Sequence, residues 1–157
     1  MLRIENDNSR EAEYYEIIRL SEEVKPVFSN SLLEFWNPVG VIPGTEKDYD
    51  VGICRIKEHY SSFNQMERHL HSEEIITPIN FDLFIPVAPP ASKPEEEKIR
   101  IIPVHVGEIL RLYDGAWHFA CGSLGDVPLD YFVFLQKDTP IDDIEIVELS
   151  SNIDIVK

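Results

Sequence analysis

Apolar and polar positions along this chain change over in short runs, at a spacing that suits strands better than helices. Val51 to Lys57 sets Val51, Ile53 and Ile56 around Gly52, and Phe63 to His69 alternates loosely. Ile75 to Ile79 and Leu83 to Val87 are rich in β-branched residues, with Asn80-Phe81-Asp82 as the turn between them. Ile99 to Val106, the aromatic run Tyr131 to Leu135, and the alternating segment Ile144 to Leu149 complete the set. Gly, Pro, Asn and Asp punctuate the gaps. Many short strands with turn signals predict an all-β barrel or sandwich. The first 25 residues read two ways. Asn8-x-x-Glu11 has the form of a capping box that opens a helix, and Ser21 can cap a turn over Glu22-Glu23-Val24. Tyr14 to Ile18 suits a strand equally well. Pro89 to Lys98 carries three prolines and a charge run, which predicts an exposed loop. No repeat of 20–50 residues is present, so residues 1–157 are expected to form one domain with this Pro/Glu-rich loop at 89–98.

Composition narrows the partners. Hydrophobic residues make up 43% of the chain, enough for a packed core. The net charge is −15, which repels nucleic acid and anionic membranes and disfavours an anionic substrate. No run of 18 apolar residues offers a transmembrane helix. Met1 to Glu13 is polar and acidic, unlike a secretion signal. Cys54 and Cys121 are isolated. Together these features point to a cytoplasmic protein with two reduced, buried thiols.

The chemistry concentrates in Glu67-Arg68-His69-Leu70-His71-Ser72-Glu73-Glu74. Glu67, His69, His71 and Glu73 fall at alternate positions, and on a strand such residues share a face. Carboxylate and imidazole together can hold a divalent cation or shuttle a proton. A second segment, Asp114-Gly115-Ala116-Trp117-His118, places another histidine after a glycine turn. The bland alternative is a charged, solvated strand end; the acid–imidazole alternation favours the functional reading. His59 and His105 have no such company and read as surface or core residues.

The two segments resemble the paired motifs of the cupin superfamily, and within it the ureidoglycolate lyase (ureidoglycolate hydrolase) family. Glu67-Arg68-His69, Ile76-Thr77-Pro78 and Gly115-Ala116-Trp117-His118 carry the likeness. The resemblance implies a double-stranded β-helix, an RmlC-like jelly-roll barrel, to which the capping signals near the start of the chain add a short N-terminal helical segment. It also implies a homodimer. Spacing against the cupin motif matches His69 to the second motif histidine and Glu67 to the place of the first. The implied cluster is Glu67, His69, Glu74 and His118, a candidate site for a divalent metal (Zn, Mn, Fe or Ni). The chain departs from the family at Glu74 for Gln, Leu70 for Pro, Tyr113 for His, and Phe119-Ala120 for His-Pro.

The resemblance implies cleavage of a C–N bond in ureidoglycolate, releasing glyoxylate and urea. His118 or Glu67 would be the base, and His69 the acid or a ligand. Arg68 or Arg111 would hold the substrate carboxylate, with Tyr113 and Trp117 lining the pocket. Arg68 reads equally well as an outward salt-bridge former, and Trp117 as a wall residue. Two other readings stand beside this one. The first is a metal-dependent cupin of different specificity, an isomerase or decarboxylase of a small oxygenated acid or sugar. The second is a non-catalytic cupin that binds a small ligand. Charge is unevenly spread: residues 99–125, which hold the second motif, sum to 0, while residues 126–157 sum to −6. Surface charge is screened beyond roughly 8 Å, so the charges local to the pocket decide what it accepts.

Overall fold

The computed structural model describes residues 2–3, 11–19, 28–29, 34–35, 49–136 and 139–156. In chain order the strands are β1 (Leu2–Arg3), β2 (Glu11–Ala12), β3 (Tyr15–Arg19), β4 (Phe28–Ser29), β5 (Glu34–Phe35), β6 (Tyr49–Ile56), β7 (Ser62–Arg68) and β8 (Glu74–Pro78). They continue as β9 (Leu83–Ala88), β10 (Arg100–Val104), β11 (Glu108–Leu112), β12 (Trp117–His118), β13 (Gly122–Ser123), β14 (Leu129–Gln136) and β15 (Glu145–Val156). One helical turn, α1 (Thr139–Asp142), precedes β15.

Two sheets face each other. One runs β1-β15-β7-β12-β9-β10, with β13 also paired to β9; the other runs β2-β3-β11-β8-β14-β6. All pairings within them are antiparallel except that of β1 with β15. Strand alternation builds two cores. Leu83, Ile85 and Val87 of β9 face inward and meet Ile76, Leu110, Leu112, Leu129 and Tyr131 of the other sheet. Phe84 and Ala88 point the opposite way, into a second cluster with Phe63, Met66, Ile99, Ile101, Trp117, Ile153 and Ile155. All six residues of β9 are therefore buried, and its near-continuous apolar run follows from burial on both faces.

Several sequence expectations change here. The short N-terminal helical segment is not found among the described residues. Glu11–Ala12 and Tyr15–Arg19 form a hairpin, with Ala12 opposite Tyr15, and the Tyr15 ring gains more from the inter-sheet core than from a solvated helix. Asn8 and Ser21 to Val24 lie outside the described residues. Strand β11 was not anticipated, because Glu108 and Arg111 interrupt its apolar pattern. The tertiary structure satisfies both: Glu108 accepts the His105 N–H, and Arg111 is paired with carboxylates. Strand β15 extends to Val156, past a register shift between Glu148 and Ile153. The 89–98 loop is largely exposed but tied down. Ala91 accepts from Arg68 and Trp117, and Glu96 accepts from Ser150 and Ser151.

One close approach is diagnostic of the second core. Gly122 lies against the ring of Phe84 so closely that a β-carbon would overlap it. Phe84 is fully buried and cannot yield. Gly122→Ala should cost about 1–3 kcal/mol of stability. Urea unfolding of the variant against the parent chain measures this, and unchanged stability would contradict the packing described.

Candidate metal and proton-transfer site

Alternation on β7 turns Met66 into the second core and Glu67 to the opposite face. Glu67 sits directly across the ladder from His118. The same parity splits β12: Trp117 enters the second core, and His118 points inward. On β8, Glu74 shares the inward parity of Ile76. His69 lies in the turn after β7. Its carbonyl accepts the Gly115 N–H at 2.6 Å, which ties the two motif segments together. Gly115 takes φ 80° there, a conformation that glycine adopts without strain.

Both imidazoles aim at one carboxylate oxygen. His118 Nε2 lies 2.8 Å from Glu74 Oε2, and His69 Nε2 lies 3.4 Å from the same atom. Glu67 Oε1 is 3.6 Å from His118 Nε2. Ring centroids of the two histidines are 5.2 Å apart. His69 and His118 are buried, at 5% and 3% exposure, so the cluster is nearly removed from water. The other ring nitrogens face backbone carbonyls: His69 Nδ1 meets Asp143 O at 2.7 Å, and His118 Nδ1 meets Ala116 O at 3.4 Å. A carbonyl only accepts, so each Nδ1 carries the proton and each Nε2 is turned to the cluster.

This pattern fits a cation. Metal-bound histidines characteristically donate the second ring N–H to a carbonyl or carboxylate. Ligand atoms about 2.0–2.2 Å from one metal are roughly 2.9–3.5 Å apart at tetrahedral or octahedral angles, close to the two separations seen here. Among the described residues, the buried atoms His118 Nε2 and Glu74 Oε2 also lack a properly aligned hydrogen bond despite their proximity. Two nitrogens and one or two carboxylates suit a divalent transition metal with open positions. His69, Glu74 and His118 supply three ligand atoms within 4.8 Å of one another, with Glu67 beside them.

Without a cation the same groups form an ion pair. Burial would lower the His118 pKa, but the carboxylates of Glu74 and Glu67 push it up to about 10. Burial would raise Glu74, but His118 and His69 hold it at about 2. His69 is raised too, because Glu74 and the Asp143 carbonyl outweigh its burial.

The other expected site residues lie apart. Arg68 bonds Glu145 at 2.8 and 2.7 Å, donates to Ala91 O, and covers the Trp117 ring at 4.4 Å. It has the outward, structural placement of its two readings. Trp117 is fully buried and donates from its indole to Ala91 O. Arg111 points to the outer face of its sheet, opposite in parity to Leu110 and Leu112. There it binds Glu73 at 2.8 Å and Glu16 at 3.2 Å, and lies over Tyr113. Arg111 and Tyr113 are thus brought to each other and not to the histidines. His71 is exposed, its backbone N–H held by Asp143. His59 is exposed, and His105 pairs with Asp82 at 2.8 Å.

Sequence reasoning missed Asp143. Its carbonyl orients His69, and its carboxylate takes the N–H groups of Leu70 and His71 at 2.8 and 2.9 Å. The only signal was an acidic residue beside a Pro-containing turn far along the chain. Cys121 and Tyr131 were also unassigned to the site. Both are buried in the inter-sheet core, Tyr131 directly opposite Cys54 across the ladder, and the charge of Glu74 reaches both.

No family model matches the chain, and no curated protein is similar to it. Solved structures do match. A dTDP sugar isomerase from Desulfovibrio desulfuricans superposes with TM-score 0.60 at 11% identity, over 88% of this chain and 87% of that one. A mutant of the 3,4-ketoisomerase QdtA from Thermoanaerobacterium thermosaccharolyticum, in complex with TDP-4-keto-6-deoxyglucose, gives 0.58 at 11% identity over 86% and 88%. A 3,4-ketoisomerase from Helicobacter canadensis gives 0.57 at 10% identity over 83% and 89%. The fold is the RmlC-like cupin barrel. Among the described residues no helix is long and apolar enough to cross a membrane.

The protonated His118 links metal uptake to pH. Because its pKa is raised from 6.5 to about 10, a metal must displace its proton at neutral pH. Zn²⁺ added to chelator-treated protein at pH 7 should release about one proton or more per metal, and affinity should rise with pH. Indicator-dye titration reads the release. The ion pair itself stabilises the metal-free protein most between pH 4.5 and 6.5. Glu74's contribution fades as pH falls towards about 2, and His118's fades as pH rises through about 10.

Proposed function

We propose that this protein is a metal-dependent cupin enzyme that isomerises a small oxygenated substrate, a sugar or related hydroxy-carbonyl compound. The observation that carries the reading is the convergence of His69 and His118, each with Nδ1 turned to a carbonyl, on buried Glu74. Likeness of fold to sugar isomerases supports it. His69, Glu74 and His118 would hold the metal, which when bound supplies Lewis-acid polarisation of a carbonyl. Glu67, with 37% of its side chain exposed beside His118, would take the proton from the hydroxyl-bearing carbon next to that carbonyl and return it to the former carbonyl carbon, while the hydroxyl proton passes to the former carbonyl oxygen.

Ureidoglycolate cleavage, the reaction implied by the sequence resemblance, has less support. Both arginines expected to bind its carboxylate are engaged with Glu145, Glu73 and Glu16. Glu74 adds negative charge where that family has a neutral residue.

Purified protein should contain close to one divalent metal per chain by elemental analysis, lost in His69→Ala and His118→Ala. Incubated in D₂O with a panel of keto and aldo sugars, it should exchange deuterium beside the carbonyl, with Glu67→Gln slower by about 10²-fold or more. Absence of metal and of exchange above the His118→Ala background would reject the proposal. Urea release from ureidoglycolate that depends on His118 would replace it with the lyase reading.

A further inference from the structure

Strand β12 is only two residues long, and its pairing with β7 is the single step His118 to Glu67. Beyond it the chain peels away from β7 and leaves a notch of about 150 Å³ beside the site, lined by Gln65, Met66, Glu67, Phe119, Ala120 and Ile146. Its walls are preformed. Phe119 stacks on Phe63 at 5.2 Å and meets Tyr60 edge-on at 5.5 Å. Tyr60 Oη donates to the Ala120 carbonyl at 2.6 Å, fixing the turn that forms one side. Ile146, 58% exposed, forms the rim directly across the ladder from Glu67.

The lining is mostly apolar. Among the described residues, its two polar side chains are the Gln65 amide and the Glu67 carboxylate, and no cation lines it. Glu67 is the residue that the notch shares with the His–Glu cluster. At about 30 Å³ per water, the volume admits a fragment of roughly five heavy atoms.

We propose that this notch is a substrate subsite for the alkyl end of a neutral hydroxylated compound, with a substrate hydroxyl donating to Glu67. It selects against a carboxylate at that end, because the one charged side chain among its described lining residues is the Glu67 carboxylate and its walls are otherwise mostly apolar. This rests on the catalytic reading of the adjoining cluster and adds the class of substrate: neutral, with a short alkyl terminus.

Three sugars that differ at one carbon test it on the protein as purified: 6-deoxygalactose, galactose and galacturonate, with competitive binding read by saturation-transfer NMR. The methyl sugar should bind about fivefold tighter than the hydroxymethyl one, which would bury a hydroxyl among mostly apolar walls, and galacturonate should bind weakest. Ala120→Leu, which narrows the notch, should abolish the methyl preference while metal content stays unchanged. Ile146→Lys, at the exposed rim, should bring galacturonate binding up to that of galactose. Equal binding of all three sugars, binding of none, preference for galacturonate, or a methyl preference that survives Ala120→Leu would each overturn the proposal. A protein that shows the preference but carries no metal and no exchange activity would retain the subsite and lose the isomerase reading, so the two fail separately.

Discussion

A carboxylate taken out of water must be met by positive charge, and the arrangement around Glu74 answers that demand. Its oxygen lies 2.8 Å from one imidazole and 3.4 Å from another, inside a barrel filled mostly with aliphatic and aromatic side chains. Removing either histidine would leave an underpaired buried charge, a costly state in a low-dielectric interior. The constraint propagates outward. His69 keeps its orientation through the Asp143 carbonyl, Asp143 grips the Leu70–His71 turn, and Gly115 locks His69 to the segment that delivers His118.

The same strand alternation that creates the cluster disposes of the remaining charge. Residues one step out of phase with it, Arg68, Glu73 and Arg111, are carried to the other faces of their sheets. There they form ion pairs that rigidify the walls and take no part in the centre. Among the described residues the inner site thus combines two imidazoles, two carboxylates and no arginine. The excess of acid in the composition, which at first argued against an anionic substrate, gains local weight. Among the described residues, the carboxylates of Glu67 and Glu74 are balanced by the histidines, a role a bound cation would share.

Much of the fold could be read along the chain. β7, β8, β9, β10 and β14 announce themselves by β-branched and aromatic runs with turn residues between them, within a residue or two of their true limits. β11 could not be read, since Glu108 and Arg111 look like breaks until their partners are known. β12 and β13, at two residues each, are too short to carry a pattern. The N-terminal hairpin lost to a capping signal because local sequence cannot weigh a helix turn against the burial of Tyr15 between two sheets.

The sequence by itself determined the identities of the central groups, Glu67 and His69 two apart, Glu74 close behind and His118 after a glycine turn, but its alternation put His71 and Glu73 on their face, and the turn between β7 and β8 resets the phase so that Glu74 joins them instead. Period-2 geometry is local, so parity follows from residue order within one strand but not across a turn. Tertiary structure decided which faces meet. Only the pairing of β12 with β7 puts His118 opposite Glu67, and only the outer face of the second sheet supplies Glu16 and Glu73 to Arg111. Those choices depend on contacts between residues far apart in the chain. They paired two candidate substrate-binding arginines with carboxylates away from the histidines and left beside the central groups a notch that no local pattern encodes.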